Sequence, residues 1–184
     1  MELIEAIKGR RSIRKYKQDP VADEDIRFVL EAARWAPSWA NTQCWELIVV
    51  KDQALKEKLA GTLPETNPGR RAVIEAPVVI AACGKKALSG HFKGKPVTDK
   101  GDWLLFDVAL ALQNLTLAAY SRGLGTVHLG FFDSRKAEQV LNVPDEAAVV
   151  ELLPLGYPDK EGKVTPRKPI EEFVFTNSYG QKTA

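Results

Sequence analysis

The chain has 184 residues, a length typical of one globular domain. Apolar residues make up 45% of it, charged residues make up 27%, and the formal net charge is only +2. A nucleic-acid or membrane binder that relies on a polybasic surface is therefore not indicated. The two cysteines and two histidines do not form the clustered ligand set of a structural zinc site. Residues 1–9 begin an amphipathic helix rather than a secretory signal, and no run of about 18 apolar residues occurs. We therefore expect a cytoplasmic protein with no metal, nucleic-acid or membrane partner.

The first third of the chain predicts two helices followed by a buried strand. Apolar residues within 3–7 share one helical face, and Gly9 ends that helix. Asp23 caps a second helix, which must end near Pro37 because proline cannot continue it. The apolar run at 47–50 is typical of a buried strand.

The remainder alternates strands and helices before a polar tail. Residues 76–82 and 147–155 are apolar enough for buried strands, and residues 134–141 predict a helix. Residues 103–122 form the longest helical pattern and are apolar almost all round, so this helix is buried on several sides, in the core or against a second subunit. Residues 85–101 are basic and rich in glycine, which is typical of an exposed, mobile loop. We expect a sheet between helical layers, and the pattern leaves strand directions open.

A basic segment directly follows the first helix. Arg10, Arg11, Ser12 and Arg14 lie within the sequence KGRRSIRKYK, which contains no acidic residue. In an extended segment alternate side chains point the same way, so Arg10, Ser12 and Arg14 can face one anion such as a phosphate. The alternative is a solvated basic face, or a segment paired with the acidic residues at 19–25. The tail offers a second basic pair, Arg167 and Lys168, between prolines, which either holds an anion or is an ordinary polar segment.

Two further segments carry side chains suited to a ring-shaped ligand. The sequence PSWANTQCW at 37–45 offers amides that can read a heteroaromatic edge and tryptophans that can stack on a ring or fill the core. The sequence GLGTVHLG at 123–130 follows a helix and lacks the third glycine of a dinucleotide-binding fingerprint, so it reads equally as a helix end leading into a strand. His128 alone is either a satisfied pocket histidine or an acid–base group.

The order of these segments resembles the nitroreductase family from end to end. The most specific parts are RRSIRKY, PSWANTQ-x-W and the closing PRKP followed by IEEFV. The resemblance implies an α+β fold, a three-layer α/β/α sandwich with a mostly antiparallel central sheet, in an intertwined homodimer that binds FMN at its interface. It also implies one domain spanning residues 1–184, whose tail from about residue 159 wraps the partner subunit.

The resemblance also assigns roles to matching residues. Arg10, Ser12 and Arg14, with Arg11 alongside, resemble the residues that hold the FMN phosphate and ribityl chain, and Arg167 resembles a second phosphate contact. The loop that covers the flavin from the other subunit is matched by Pro37, Ser38, Trp39 and Asn41. The strand that passes the reactive edge of the flavin is matched by His128, Leu129 and Gly130, with the Gly130 backbone N–H donating to flavin N5.

The sequence departs from the family pattern at two places. Cys44 stands where the family often has proline, and the amide that reads the flavin pyrimidine edge falls near Gly69 and Arg70, so that Asn67 or Arg70 would substitute.

The chemistry implied by the resemblance is a ping-pong transfer of electrons from NAD(P)H, through flavin N5, to a flat, electron-poor small molecule such as a nitroaromatic or quinone. No catalytic side chain is required, because the cofactor carries the chemistry. Alternatives are the same fold with other flavin chemistry (reductive dehalogenation, enone reduction or flavin breakdown), a flavin-binding module without turnover, or a nucleic-acid binder that uses the basic segment.

Overall fold

A four-stranded antiparallel sheet forms the centre of the computed structural model, which describes residues 1–182. The strand order is β1-β2-β6-β5, and every pairing in this sheet is antiparallel. The strands are β1 (Trp45–Val50), β2 (Val78–Lys85), β5 (Gly125–Thr126) and β6 (Ala147–Gly156), and a separate small hairpin is formed by β3 (His91–Phe92) and β4 (Lys95–Pro96).

Helices cover both faces of the sheet. They are α1 (Leu3–Gly9), α2 (Asp23–Arg34), α3 (Gln53–Ala60), α4 (Gly69–Glu75), α5 (Leu104–Ser121), α6 (Ser134–Leu141) and α7 (Ile170–Phe173). Side-chain caps begin two of them: Asp52 accepts a hydrogen bond from the Leu55 N–H at 2.8 Å, and Asp133 accepts one from the Lys136 N–H at 3.1 Å. These carboxylates satisfy backbone donors that a helix start leaves unpaired.

The alternation of side chains along the strands divides the core in two. Val79 and Ala81 of β2 pack on one face with residues of α3, α4 and α6, whereas Ile80 and Ala82 pack on the other with α2 and α5. This arrangement confirms the predicted three-layer sandwich with an antiparallel central sheet.

Helix α5 belongs to the core along one side and is exposed along another. Its 18 residues have a mean hydropathy of 1.3, so by length and composition alone it would pass as a membrane span. Leu112 and Leu115 are fully buried against α2 and the sheet, as in the core helix of a globular domain. Leu105 and Phe106, near its beginning, are 62% and 55% exposed, and α1 exposes Leu3 and Ile4.

Most predicted elements are confirmed, and two differ. The strands at 47–50, 76–82 and 147–155 are observed as β1, β2 and β6 with shifted ends. The strand-like run after Gly125 is reduced to β5 and one isolated bridge between Leu129 and Leu152.

The segment 85–101, predicted as an exposed loop, instead contains the β3–β4 hairpin and a buried base. Ser89 is fully buried, its carbonyl accepts a hydrogen bond from the Trp103 N–H at 3.1 Å, and the Trp103 indole N–H donates to Thr98 Oγ1 at 2.8 Å.

Candidate functional site

The basic segment after α1 is extended and lies beside β5. The Ile13 N–H donates to the Thr126 carbonyl at 2.9 Å, and Ser12 bridges Thr126 in parallel. Ile13 is buried, whereas Ser12 and Arg14 are exposed on the opposite side, as an extended backbone requires. Gly9 admits no side chain, since a Cβ there would lie 2.2 Å from the Tyr120 hydroxyl. Arg10 therefore leaves α1 close to the end of α5.

Tyr16 fixes this segment to the sheet. Its buried hydroxyl donates to the Ile13 carbonyl at 2.7 Å and lies 3.2 Å from the Pro154 carbonyl, and burial raises the pKa of the phenol far above its ordinary value. The hydroxyl therefore stays protonated and continues to donate.

We expect Tyr16→Phe to lower the free energy of unfolding by about 1 kcal/mol, because it leaves buried carbonyls without this donor. Urea titration of the purified protein measures the loss. Tyr179→Phe is the control, since Tyr179 is 95% exposed. An unchanged unfolding midpoint for Tyr16→Phe would show that the hydroxyl does not anchor the segment.

The structure brings the predicted phosphate residues into one cleft. Its volume is about 410 Å³, and its lining carries seven basic side chains and one acidic side chain, Glu161. The basic side chains are Arg10, Arg11, Arg14, Lys15, Lys160, Lys163 and Arg167. Ser12 lies among them. A second cavity of about 330 Å³ shares Arg10 and Arg11 and is also lined by the GLGT turn at 123–126. The predicted arginines of the first segment and the tail are therefore neighbours despite their separation in sequence.

Within residues 1–182, no arginine of this cleft forms a salt bridge with a carboxylate. The pKa of Arg10 is lowered by burial and by the positive charges of Arg167 and Arg11. The Arg11 Nη1 donates to the carbonyls of Lys8 at 2.5 Å and Arg10 at 2.8 Å, and its buried Nε has no hydrogen-bond partner within residues 1–182. A bound anion would relieve the repulsion between these arginines, so the residues present fit a phosphate group.

The segment 128–130, which follows β5, carries the residues predicted to lie at a flavin edge. Leu129 is buried and exchanges two backbone hydrogen bonds with Leu152, each 3.1 Å long. His128 is half-exposed, and its Nδ1 bonds the Glu151 carboxylate of β6. Gly130 is exposed, and within residues 1–182 its N–H has no acceptor. Gly130 follows Thr126 by four residues, at most about 13 Å along an extended chain. An unused backbone donor therefore lies within reach of the basic cleft.

The turn before α4 packs against the segment that follows β5. The Asn67 amide donates to the Phe131 carbonyl at 3.1 Å and accepts from the Gly69 N–H at 2.9 Å. A Cβ on Gly69 would lie 2.4 Å from Leu129, so the helix start is in direct contact with it. The Asn67 amide already donates and accepts hydrogen bonds within the chain. Of the two residues considered, Arg70 is therefore the better candidate to hydrogen-bond the edge of a ring.

The loop at 37–43 lies elsewhere in the chain. The Trp39 N–H donates to Asp107 at the beginning of α5, whereas Gly9 contacts Tyr120 near its end. Asp107 and Tyr120 are 13 residues apart, which separates them by about 20 Å along the helix. A single chain therefore does not bring Pro37, Ser38, Trp39 and Asn41 to the basic cleft.

Both cysteines are buried and free. Burial, with the nearby Asp107 carboxylate, raises the pKa of Cys44 to about 12, and burial raises that of Cys83 to about 11. We expect neither thiol to react with Ellman's reagent at pH 8 in the native protein, because the reactive thiolate is scarce and inaccessible. Reaction of both thiols after denaturation is the control. A thiol that titrates within seconds in the native protein would contradict this prediction.

Sequence reasoning missed several residues of the site. Lys160 and Lys163 line the basic cleft from the tail, and Glu151 partners His128 from β6. Asp107 is fully buried and accepts from the loop at 37–43. Its one sequence signal is its position as the single acid within the apolar run of α5. Glu151 is likewise the single acid within the apolar run of β6, whereas Lys160 and Lys163 lie among ordinary charged residues of the tail, and only the fold brings these three to the site.

Comparison with known proteins identifies the family. The profile of the nitroreductase family matches residues 7–157. A putative NADH dehydrogenase/NAD(P)H nitroreductase of Methanothermobacter thermautotrophicus is 35% identical over 162 residues, which cover 86% of this chain and 78% of that protein. The FMN reductase [NAD(P)H] of Bacillus subtilis is 31% identical over 189 residues, which cover 97% of this chain and 74% of that protein.

A solved structure shares the fold along nearly the whole chain. The crystal structure of oxidized iodotyrosine deiodinase bound to FMN and 3-iodo-L-tyrosine superposes with a TM-score of 0.80 at 25% identity, covering 97% of this chain and all of that one. The profile match spans most of the chain and the relatives exceed 30% identity over most of its length. The chain belongs to the nitroreductase family.

Proposed function

We propose that this chain carries electrons from NAD(P)H, through FMN bound between two copies of the chain, to a flat, electron-poor acceptor such as a nitroaromatic or a quinone. The observation that carries the proposal is the basic cleft, whose arginines form no salt bridge within residues 1–182. The phosphate of FMN carries close to two negative charges near neutral pH, as other phosphate monoesters do, and suits such a cleft.

The activity class follows from the family. Relatives above 30% identity are an NAD(P)H nitroreductase and an FMN reductase, so the chain is an NAD(P)H-dependent oxidoreductase with FMN as its cofactor. When bound, FMN supplies the redox chemistry. The acceptor is the part that the family leaves open, since an iodotyrosine deiodinase shares the same fold.

The residues of the chain bind and orient the cofactor. Arg10, Ser12, Arg14 and Arg167 would hold the phosphate and ribityl chain, since all line the basic cleft. The exposed Gly130 N–H would donate to flavin N5, and Arg70 at the start of α4 would read the pyrimidine edge. His128 and Leu129 would border the ring, with Leu129 held in place by its paired hydrogen bonds to β6.

Two observations support a homodimer. The loop carrying Pro37, Ser38, Trp39 and Asn41 is held about 20 Å along α5 from Tyr120, which lies beside Gly9 and lines the second cavity, so a second copy is needed to bring such a loop over the cofactor. The exposed apolar residues of α1 and α5 offer a surface for that copy, and the exposed tail from residue 159 would wrap it.

A panel of acceptors tests the proposed function. Purified protein with added FMN is mixed with NADH or NADPH and then with menadione, nitrofurazone or 3-iodotyrosine, and product formation is measured. We expect reduction of the quinone and the nitroaromatic. Dehalogenation of 3-iodotyrosine with no quinone or nitro reduction would assign the alternative flavin chemistry. If none of these mixtures oxidises NADH or NADPH, the result would indicate a flavin-binding module without turnover.

A further inference from the structure

The fully buried Asp107 carboxylate connects two segments that are distant in sequence. Its oxygens accept hydrogen bonds from the Trp39 N–H at 3.0 and 3.2 Å and from the Ser89 hydroxyl at 2.5 Å. The Thr42 hydroxyl at 3.4 Å and the Cys44 thiol at 3.7 Å also point to it. The carboxylate thus receives donors from the loop at 37–43, from Cys44 directly after it, and from the base of the β3–β4 hairpin.

No cation balances this buried charge. Within residues 1–182 no lysine, arginine or histidine forms a salt bridge with Asp107. Asp107 lies in the first turn of α5, where the helix dipole favours a negative charge, but most of its solvation must come from the donors named above. Removing one donor therefore leaves the buried charge under-solvated, which favours conformations in which the surrounding segments open and water reaches the carboxylate.

The loop held by Asp107 has an unfavourable backbone conformation. Ala40, Asn41 and Gln43 have φ values of 45°, 56° and 48°, in the left-handed region that residues with a side chain seldom adopt. Each such residue costs roughly 1–3 kcal/mol and persists only where surrounding contacts determine it. Hydrogen bonds within the loop, from Gln43 to Ser38 and to Asn41, help to hold this conformation. Asp107 attaches the loop to α5 by accepting from the Trp39 N–H.

We infer that Asp107 is a positioning residue that joins the base of the hairpin to the loop at 37–43, so that displacement of Ser89 releases the loop. This inference rests on the proposed function, in which the loop covers the cofactor of the other copy. The hairpin would then control the closure of a site that it need not touch.

Cys44 provides a direct readout of the loop. It is fully buried at the end of the loop and directed at Asp107, whereas Cys83 is equally enclosed on β2 and has no hydrogen bond to Asp107. Reaction of Cys44 with N-ethylmaleimide, measured by mass spectrometry of its peptide, reports opening of the loop. Reaction of Cys83 in the same sample reports global unfolding.

The test compares two substitutions in the hairpin segment. Ser89→Ala removes the bond to Asp107, whereas Thr98→Ala removes the bond to Trp103 and leaves Asp107 untouched. We expect Ser89→Ala to speed the labelling of Cys44 by about 10- to 100-fold, the range for losing one hydrogen bond to a charged group, with no change at Cys83. Thr98→Ala should leave both thiols unchanged. Unaltered labelling of Cys44 in Ser89→Ala, or equal acceleration in both variants, would overturn the inference.

A cofactor measurement separates this inference from the proposed function. In protein loaded with FMN, Ser89→Ala should speed FMN release while the rate at which NAD(P)H reduces the FMN still bound stays unchanged. If the unaltered protein binds no FMN, the proposed function fails, and the labelling of Cys44 still decides the role of Asp107. If FMN release is unchanged although the labelling of Cys44 is faster, the loop does not cover the cofactor, and the inference fails in its functional part.

Discussion

Replacing Arg10 by alanine is expected to weaken FMN binding by about 10- to 100-fold, the range for one lost hydrogen bond to a charged partner. Arg10 lines the basic cleft together with Arg11 and Arg167, and burial strengthens its electrostatic interactions there. The dissociation constant is measured by quenching of FMN fluorescence on titration with apoprotein.

The same variant should not lose stability without FMN. Burial and the positive charges of Arg167 and Arg11 lower the pKa of Arg10, so removing Arg10 relieves both a desolvation cost and repulsion in the apoprotein. We therefore expect an unfolding midpoint of the apoprotein equal to or above that of the original chain. Arg27→Ala, at an exposed position of α2, is the matched control for net charge and should leave FMN affinity unchanged. Full FMN affinity in Arg10→Ala would refute the assignment of the cleft to the phosphate.

Leu105→Glu is expected to convert the proposed dimer to a monomer at micromolar concentration. Leu105 is 62% exposed in the single chain, and burying a carboxylate in an apolar interface costs several kcal/mol. The substitution should not harm the helix itself, because Leu105 lies in the first turn of α5, where an acidic side chain is favourable. Light scattering after size-exclusion chromatography measures the mass.

Ala54→Glu is the control for this variant, since it adds the same charge to the first turn of α3 at an exposed position. The control should remain dimeric and bind FMN, whereas Leu105→Glu should lose both properties, because the loop at 37–43 would no longer reach the other copy. A Leu105→Glu protein that stays dimeric would place the interface on another surface.

The layers of the fold could be predicted because apolar periodicity directly reflects burial. The runs that became β2 and β6 are buried on both faces of the sheet, and such strands are apolar without alternation. The direction of the strands could not be predicted from the apolar pattern, which is the same for either direction, and only the family resemblance implied an antiparallel sheet. The hairpin at 91–96 was missed because its formation depends on Ser89 and Trp103, which anchor its base through tertiary hydrogen bonds.

Some residues of the candidate site could be found from the sequence, and others could not. The arginines after α1 could be singled out because basic residues without acids are unusual, and the structure places Arg10 and Arg14 beside Arg167 of the tail. The contribution of Asp107 could not be found from sequence. An isolated acid in an apolar helix predicts a buried polar group, but the partners Trp39 and Ser89 become neighbours only through the packing of α5.

The central claim is that the chain binds FMN and accepts electrons from a nicotinamide, and one spectroscopic measurement tests both parts. The visible absorption spectrum of the purified protein with added FMN, freed of unbound cofactor, is recorded anaerobically before and after NADH or NADPH. The account predicts a flavin spectrum that bleaches with at least one of the two nicotinamides. A protein that retains no flavin, or a bound flavin that neither nicotinamide bleaches, would contradict it.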